Sequence, residues 1–135
     1  MKESFKVMKR TEARQKAFQA LFQLDSTELT IEEAIGHVLE EEQESNAFLN
    51  KLVRGTTENQ AEIDAALTEK LEKWTLIRLP KIERTVLRLA VYELLHEQDT
   101  PNRVVMNEAI ELCKTYGDEK SSKFVNGVLS KFTEQ

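Results

Sequence analysis

The sequence has few of the residues on which most catalytic and disulfide-bonded proteins depend. Among 135 residues there are one cysteine and two histidines, so no disulfide can form within the chain. These residues also lack the spacing of a zinc-binding cluster. No glycine-rich loop follows a strand, as a phosphate-binding loop requires. We therefore expect a binding protein with no enzyme activity, no metal and no cofactor. The lone cysteine, Cys113, is typical of a reducing cytoplasm, where we expect the protein to act.

Proline, glycine and long apolar segments are also scarce. The chain has two prolines and four glycines, and no apolar run approaches the roughly 20 residues of a membrane helix. The N-terminus, MKESFKVMKR, has no apolar segment of the kind a secretory signal needs. No stretch alternates apolar and polar residues as a half-buried strand does. These absences predict an all-α domain over residues 9–135, preceded by a flexible extension over residues 1–8.

Charge is distributed unevenly along a chain whose net charge is −5. Residues 1–16 carry six basic and two acidic side chains, a net +4, whereas residues 25–64 carry eleven acids against two bases. A basic end on an acidic body can direct a polyanion to one surface and repel it from the others. The alternative is that the basic end is simply solvated.

The first helix is predicted from Arg10 to Leu24. Within it Arg10, Arg14, Phe18 and Phe22 recur every fourth residue and form a strip along one edge. Guanidinium groups that alternate with aromatic rings suit RNA, because cations contact phosphates and rings stack on bases. The alternative interpretation places both phenylalanines in the core.

The middle of the chain contains two capping-box patterns and one candidate helix stop. Thr30 with Glu33, and Thr57 with Gln60, have the spacing that opens a helix. Gly55 is predicted to end the helix between them. Trp74 is predicted to be buried at the end of the helix that Thr57 opens.

A helix from Pro80 to about Leu95 is apolar around most of its circumference, which predicts a central position. Glu93 falls among its apolar residues, so its carboxylate must be paired, since an isolated buried charge is too costly. Arg84 and Arg88 are expected to form structural ion pairs.

The segment from 101 to 129 carries the clearest helix signals. Thr100 and Pro101 are predicted to open one helix, and Gly117 to end it in a left-handed conformation. Asp118 is predicted to cap the last helix. Gly127, in the middle of that helix, predicts a close helix crossing.

Several motifs between Arg10 and Phe132 resemble the NusB family of bacterial transcription antitermination factors. The last two of these motifs are the most specific. They are AR at 13–14, QALFQLD at 19–25, Val53 with Gly55, Ile63-Asp64, Trp74, ERTVLRLAVYEL at 83–94, NEAIEL at 107–112 and KFVNGVL at 123–129.

The resemblance implies a compact bundle of about seven helices in two helical subdomains. It further implies that the protein binds the boxA element of ribosomal RNA leaders together with NusE, a protein of the small ribosomal subunit. NusA, NusG and RNA polymerase complete the antitermination complex. Monomers and homodimers are both compatible with the resemblance, and no catalysis is implied.

The family's functional residues carry over to two places in this chain. RNA contacts fall on the first helix and on the start of the last helix, and the NusE contact falls on Glu83. Thr11 and Glu12 interrupt the basic run that the family pattern places at the first helix. The predicted RNA-binding residues are Arg10, Arg14, Phe22, Lys120, Lys123 and Phe124.

Three alternatives remain beside an antitermination factor. One is an RNA-binding module of the kind fused to ribosomal RNA methyltransferases, against which the length of the chain argues. Another is a helical adaptor, or a module acting in ribosomal RNA maturation, without direct antitermination. The last is a hydrolase whose acid–base pair the sequence does not reveal.

Overall fold

The structure is a computed structural model that describes residues 8–41, 43–44 and 46–133. In this part of the chain there are seven α-helices, one 3-10 turn at Leu76–Arg78 and no strand. The predicted all-α class is therefore confirmed. The predicted flexible extension covers residues 1–8, of which residues 1–7 lie outside the described residues; Met8 is described and is buried in the core. The helices are α1 (Arg10–Leu24), α2 (Ile31–Val38), α3 (Ala47–Glu58), α4 (Gln60–Lys70), α5 (Lys81–His96), α6 (Asn102–Tyr116) and α7 (Glu119–Thr133).

Helix α5 lies at the centre of the fold, as its apolar circumference predicted. It packs against α1, α3, α4, α6 and α7. Leu87, Leu89 and Val91 on this helix are almost completely buried. A helix in contact with five others must be apolar on nearly every side, because no face remains for water.

The remaining helices form two groups around α5. Helices α1, α2 and α3 pack on one another, while α4, α6 and α7 pack on α5 and α6 pairs with α7 as a hairpin. This arrangement agrees with the two helical subdomains that the family resemblance implies. The start of α7 and the C-terminal end of α1 both border α5, so α5 is the element that positions the predicted RNA-binding residues.

The capping predictions are correct at α2 and α7 and wrong at α4. The Thr30 hydroxyl accepts the backbone N–H of Glu33 at 3.0 Å, and the Glu33 carboxylate accepts the N–H of Thr30 at 2.9 Å. The Asp118 carboxylate accepts the N–H of Ser121 at 2.8 Å. Thr57, by contrast, lies inside α3, and α4 begins after Asn59 without a side-chain cap.

The glycine predictions are wrong at Gly55 and Gly127, and at Gly117 the helix end is confirmed but the left-handed conformation is wrong. Gly55 does not end α3, which continues to Glu58; a Cβ at this position would overlap the ring of Tyr92. Gly117 follows α6 with φ −121° and ψ −132°, which is not left-handed. Gly127 is exposed, and a Cβ there would meet no atom within 4 Å, so no helix crosses closely at this point.

Two smaller boundaries also differ from the predictions. Helix α6 begins at Asn102, and Pro101 takes the N-cap position instead of the first helical position. Helix α4 ends at Lys70, where Leu71 adopts an extended conformation. Trp74 therefore lies in the connection to α5 and is 59% exposed, so the prediction that it is buried is wrong.

Candidate nucleic-acid interface

Arg14, one of the predicted RNA-binding residues, lies inside the protein. Only 3% of its surface is exposed, and its guanidinium donates two hydrogen bonds to Glu93, at 2.8 and 2.9 Å. Glu108 lies 3.9 Å away on α6. Burial lowers the pKa of Arg14, but the hydrogen bond and charge of Glu93 outweigh that effect and raise it. The arginine stays charged and joins α1 to α5 and α6.

The same hydrogen bonds provide the partner that the sequence predicts for the Glu93 carboxylate. The carboxylate is 2% exposed and needed a buried partner, and that partner is Arg14. The prediction that Glu93 is paired is thus confirmed. A bidentate pair of this kind is among the stronger hydrogen-bonded contacts in proteins.

Arg10 lies one turn before Arg14 and remains exposed. Its guanidinium carbon is 4.1 Å from the centre of the Phe48 ring on α3, while that of Arg14 is 5.2 Å from the same ring. Stacked in this way, an exposed arginine still has N–H groups that can donate to a phosphate. Arg10 is the residue of the basic strip that is accessible to RNA.

The two phenylalanines of the strip have different surroundings. Phe18 is buried and stacks on Tyr116 of α6, with ring centres 4.6 Å apart. Phe22 is half-buried, and the Lys81 ammonium lies 4.0 Å from its ring centre. Phe18 therefore belongs to the core, as the alternative interpretation held, whereas Phe22 lies at the surface beside a cation.

The first two turns of α7 present the other predicted group. Lys120 and Lys123 are exposed, and neither forms an ion pair with another described residue. Phe124 is half-buried and forms an edge-to-face contact with Trp74, with ring centres 5.6 Å apart and the ring planes at 80°. We call Lys120, Lys123 and Phe124 the α7 surface.

Glu83 borders the same region. It lies in the first turn of α5 and accepts a hydrogen bond from the Ser121 hydroxyl of α7 at 3.2 Å. It also lines an apolar groove of about 590 Å³ that includes Lys120 and Phe124. A protein bound at Glu83 would therefore lie beside the α7 surface.

The predicted RNA-binding residues do not form a single surface. Ile82 contacts the space beside Phe22 and also the groove beside Phe124, so the C-terminal end of α1 and the start of α7 form one continuous surface. Arg10 is twelve residues before Phe22 on the same helix, or about 18 Å at 1.5 Å per residue. Arg10 thus lies apart, and Arg14 does not reach the surface.

Arg84 and Arg88 of α5 form structural pairs, as predicted. Arg88 donates to both carboxylate oxygens of Asp64, at 2.8 and 2.9 Å, and Arg84 donates to Asp25 at 2.6 Å. Burial raises the pKa of Asp25, but the hydrogen bonds and charges of Arg84 and Arg88 outweigh that effect. The pKa of Asp25 therefore lies below its ordinary value. These pairs hold α1 and α4 against α5.

Metal-binding and nucleophilic side chains are the other candidates for a site. The described residues include no group of three or more His, Cys, Asp or Glu side chains arranged to hold a metal ion. Cys113 is buried, and burial raises the pKa of its thiol to about 12, which makes it a poor nucleophile. Among the described helices, none has the length and apolarity needed to cross a membrane.

Comparison with known proteins assigns the chain to a family. The family model of NusB matches residues 11–134, which is nearly the entire chain. The transcription antitermination protein NusB of Lysinibacillus sphaericus is 70% identical over 128 residues, covering 95% of this chain and 99% of that protein. The chain belongs to the NusB family.

Solved NusB structures share the fold. T. maritima NusB superposes with a TM-score of 0.85 at 41% identity, covering 93% of this chain and 91% of that one. A structure of the antitermination factors NusB and NusE in complex with double-stranded RNA gives a TM-score of 0.81 at 36% identity, covering 90% of this chain and 93% of the matched one. The predicted family and architecture are both confirmed.

Sequence reasoning missed two residues of this NusB-family surface. Trp74 was assigned to the core because α4 was expected to continue to it, and Lys81 was not singled out at all. The sequence carries no signal against this assignment, because Ile63, Leu67, Leu71 and Trp74 recur at helical spacing.

Proposed function

We propose that this protein is a transcription antitermination factor that binds boxA RNA of ribosomal RNA leaders together with NusE. The observation that carries the proposal is the α7 surface. It combines exposed lysines that form no ion pair with a described residue and the aromatic ring of Phe124, on a chain whose net charge is −5. Cations contact phosphates and aromatic rings stack on unpaired bases, so this combination is typical of a surface that binds single-stranded RNA.

The geometry revises the set of residues that we propose for RNA binding. Lys120, Lys123 and Phe124 provide the main contacts, and Phe22 extends the surface across Ile82. Arg10 is a separate contact for an RNA that reaches the other end of α1. Arg14 is withdrawn from the RNA-binding set and acts instead by holding α1 to α5 through Glu93.

Glu83 is proposed as part of the NusE contact. Its position beside Lys120 and Phe124 allows one RNA to touch both proteins, which would raise the affinity of the pair above that of either alone. A relative has been solved as NusB with NusE and RNA, which supports these partner classes. We extend the proposal to a cytoplasmic complex with NusA, NusG and RNA polymerase.

An adaptor that binds NusE without touching RNA, or a module in ribosomal RNA maturation, is the second candidate. The apolar groove of about 590 Å³ favours it, because a groove with this lining suits a protein partner. Under this hypothesis the lysines of α7 are only solvated.

The two candidates differ in what the lysines do. Fluorescence anisotropy should be used to measure binding of boxA RNA to the protein alone and with NusE, using the parent and the Lys120→Ala/Lys123→Ala double variant. Because the RNA in the solved relative is double-stranded, single-stranded and duplex boxA RNA should both be tested. We expect single-stranded RNA to bind more tightly with NusE, and the double variant to bind it weakly.

The matched control removes two other exposed lysines, with Lys51→Ala/Lys114→Ala. It changes the net charge equally but lies away from the α7 surface. Equal weakening by both variants would indicate a nonspecific charge effect. If the α7 variant binds NusE and RNA as the parent does, the adaptor hypothesis replaces the proposal.

A further inference from the structure

We infer that the RNA path continues past Phe124 into a second groove, where Trp74 stacks on a base and two lysines contact phosphates. This inference rests on the proposed function and extends it to residues that the family resemblance does not assign. The groove lies between α7 and the connection that follows α4. We call it the lysine groove; its lining includes Lys70, Glu72, Lys73, Trp74, Lys123, Phe124, Gly127 and Lys131.

Charge is the first argument for RNA as the occupant. The groove is lined by four lysines and one acid, Glu72, on a protein with a net charge of −5. Lys131 pairs with Glu72 at 3.0 Å and with the Lys70 carbonyl at 3.1 Å, which neutralises that acid. The other three ammonium groups remain to attract a polyanion, since none forms an ion pair with a described residue.

The exposure of Trp74 is the second argument. A tryptophan that is 59% exposed is unusual, and its contact with Phe124 is edge to face, at 80°. Because the two rings are nearly perpendicular, Phe124 can cover at most one face of the indole ring. An uncovered indole beside lysines provides the stacking platform and the phosphate contacts that single-stranded RNA uses.

Gly127 is the third argument. A glycine in the middle of a helix destabilises it, and here no neighbouring helix requires the missing side chain, because a Cβ would meet no atom within 4 Å. Gly127 lines the lysine groove together with Trp74, so its missing side chain leaves the groove wider there. A backbone left bare in this way permits close approach by a ligand.

The lysine groove is continuous with the α7 surface. Lys123 and Phe124 line the lysine groove, and Phe124 also lines the apolar groove beside Glu83. The ring centres of Phe124 and Trp74 are 5.6 Å apart, so the nucleotide that follows the one on Phe124 can reach Trp74, and further nucleotides can reach Lys70 and Lys73. The groove adds length to the RNA site and leaves the NusE contact unchanged.

Trp74 is the only tryptophan of the protein, and it lines both the lysine groove and the apolar groove beside Glu83, so its fluorescence reports on both places. The titrations are therefore run with NusE already bound, so that a further change reports on the RNA. The parent should be titrated with a boxA RNA of about 10 nucleotides and with versions extended by about 6 unpaired nucleotides at either end, lengths within the range of single-strand sites. We expect an RNA extended at one end to quench the fluorescence strongly, and the short RNA to quench it weakly.

Affinity gives a second readout. Trp74→Ala should weaken binding of that extended RNA by roughly 5- to 150-fold, the equivalent of one lost base stack, and should leave the short RNA unaffected. Lys70→Ala/Lys73→Ala should flatten the dependence of log affinity on log salt by up to about 1.4, or about 0.7 for each phosphate. Gly127→Gln should block the groove while the helix is retained. Lys51→Ala/Lys114→Ala is the matched control.

The outcomes separate the two proposals. If the short RNA binds but no extension quenches Trp74, and the groove variants bind extended RNA as the parent does, this inference is overturned and the proposed function stands. Weaker binding of NusE alone by the Lys70→Ala/Lys73→Ala variant would assign the lysine groove to a protein and also overturn it, because these two lysines line that groove and not the apolar one. If the parent binds no RNA at all, with or without NusE, the proposed function fails and this inference fails with it.

Discussion

The N-terminal half of α1 and the first two turns of α7 are both basic in sequence, yet they use their cations differently. On α1, Arg14 is held by Glu93, and the buried Lys16 donates to the Val38 carbonyl at 2.9 Å. On α7, Lys120 and Lys123 are exposed and unpaired among the described residues. The cations of α1 mostly stabilise the fold, and those of α7 are available to a ligand.

This difference shows that a basic residue indicates a nucleic-acid contact only when the protein itself does not satisfy its charge. The position of the carboxylates decides which case applies. Glu93 comes from a helix 79 residues away in the sequence, so the α1 pattern alone cannot show that Arg14 is occupied. The following predictions test the comparison, beginning with the largest effect.

Arg14→Ala should destabilise the protein by about 3–5 kcal/mol, because it leaves the Glu93 carboxylate buried without a partner. Urea unfolding at pH 7 measures the change, and Arg10→Ala, one turn away at the surface, is the control and should change little. The double variant Arg14→Met/Glu93→Leu should recover much of the loss. An Arg14→Ala protein that is as stable as the parent but binds RNA poorly would show that Arg14 is a surface contact after all.

Gly55→Ala should destabilise the protein by about 1–3 kcal/mol, because the added methyl overlaps the Tyr92 ring. The matched substitution on α7, Gly127→Ala, should stabilise it by about 0.5–1 kcal/mol, since nothing opposes the methyl and alanine favours the helix. Thermal or urea unfolding of both variants measures the pair. Equal shifts of the same sign would contradict the distinction between a packed and an open helix face.

Phe124→Ala should weaken boxA RNA binding by about 1–3 kcal/mol, the value of one lost base stack, and leave the salt dependence nearly unchanged. Phe18→Ala serves as the comparison on α1: its ring is buried against Tyr116, so the loss should appear in unfolding and not in RNA binding. Circular dichroism confirms that each variant is folded before binding is measured. RNA binding that responds equally to both substitutions would remove the difference between the two helices.

Lys123→Ala should have the smallest effect on RNA binding, and it should appear in the dependence of affinity on salt concentration. Log affinity should fall with log salt less steeply by up to about 0.7, the value for one phosphate on a single strand. The same titration of Lys16→Ala should give the parent slope, because the Lys16 ammonium is already bound to the Val38 carbonyl. A slope that is unchanged in Lys123→Ala would mean that this lysine touches no phosphate.

Much of the fold could be predicted from local patterns. The boundaries of α1, the capping box of α2 and the Asp118 cap of α7 follow from contacts within four residues, which the sequence displays directly. The central position of α5 follows from its apolar circumference. The family motifs further located Lys120, Lys123 and Phe124 at the start of α7.

Tertiary structure decided the features that depend on contacts between distant residues. Gly55 lies inside a helix, where the ring of Tyr92 occupies the space that a side chain would need. Trp74 is exposed because α4 ends before reaching it. Arg14 is buried because Glu93 needs a cation there. The sequence by itself determined that the chain is helical, where α1 begins and ends, and which helix is central, since local hydrogen bonds and periodicity govern these features. Which cations face an RNA was decided only when packing brought each one to a carboxylate or left it in water.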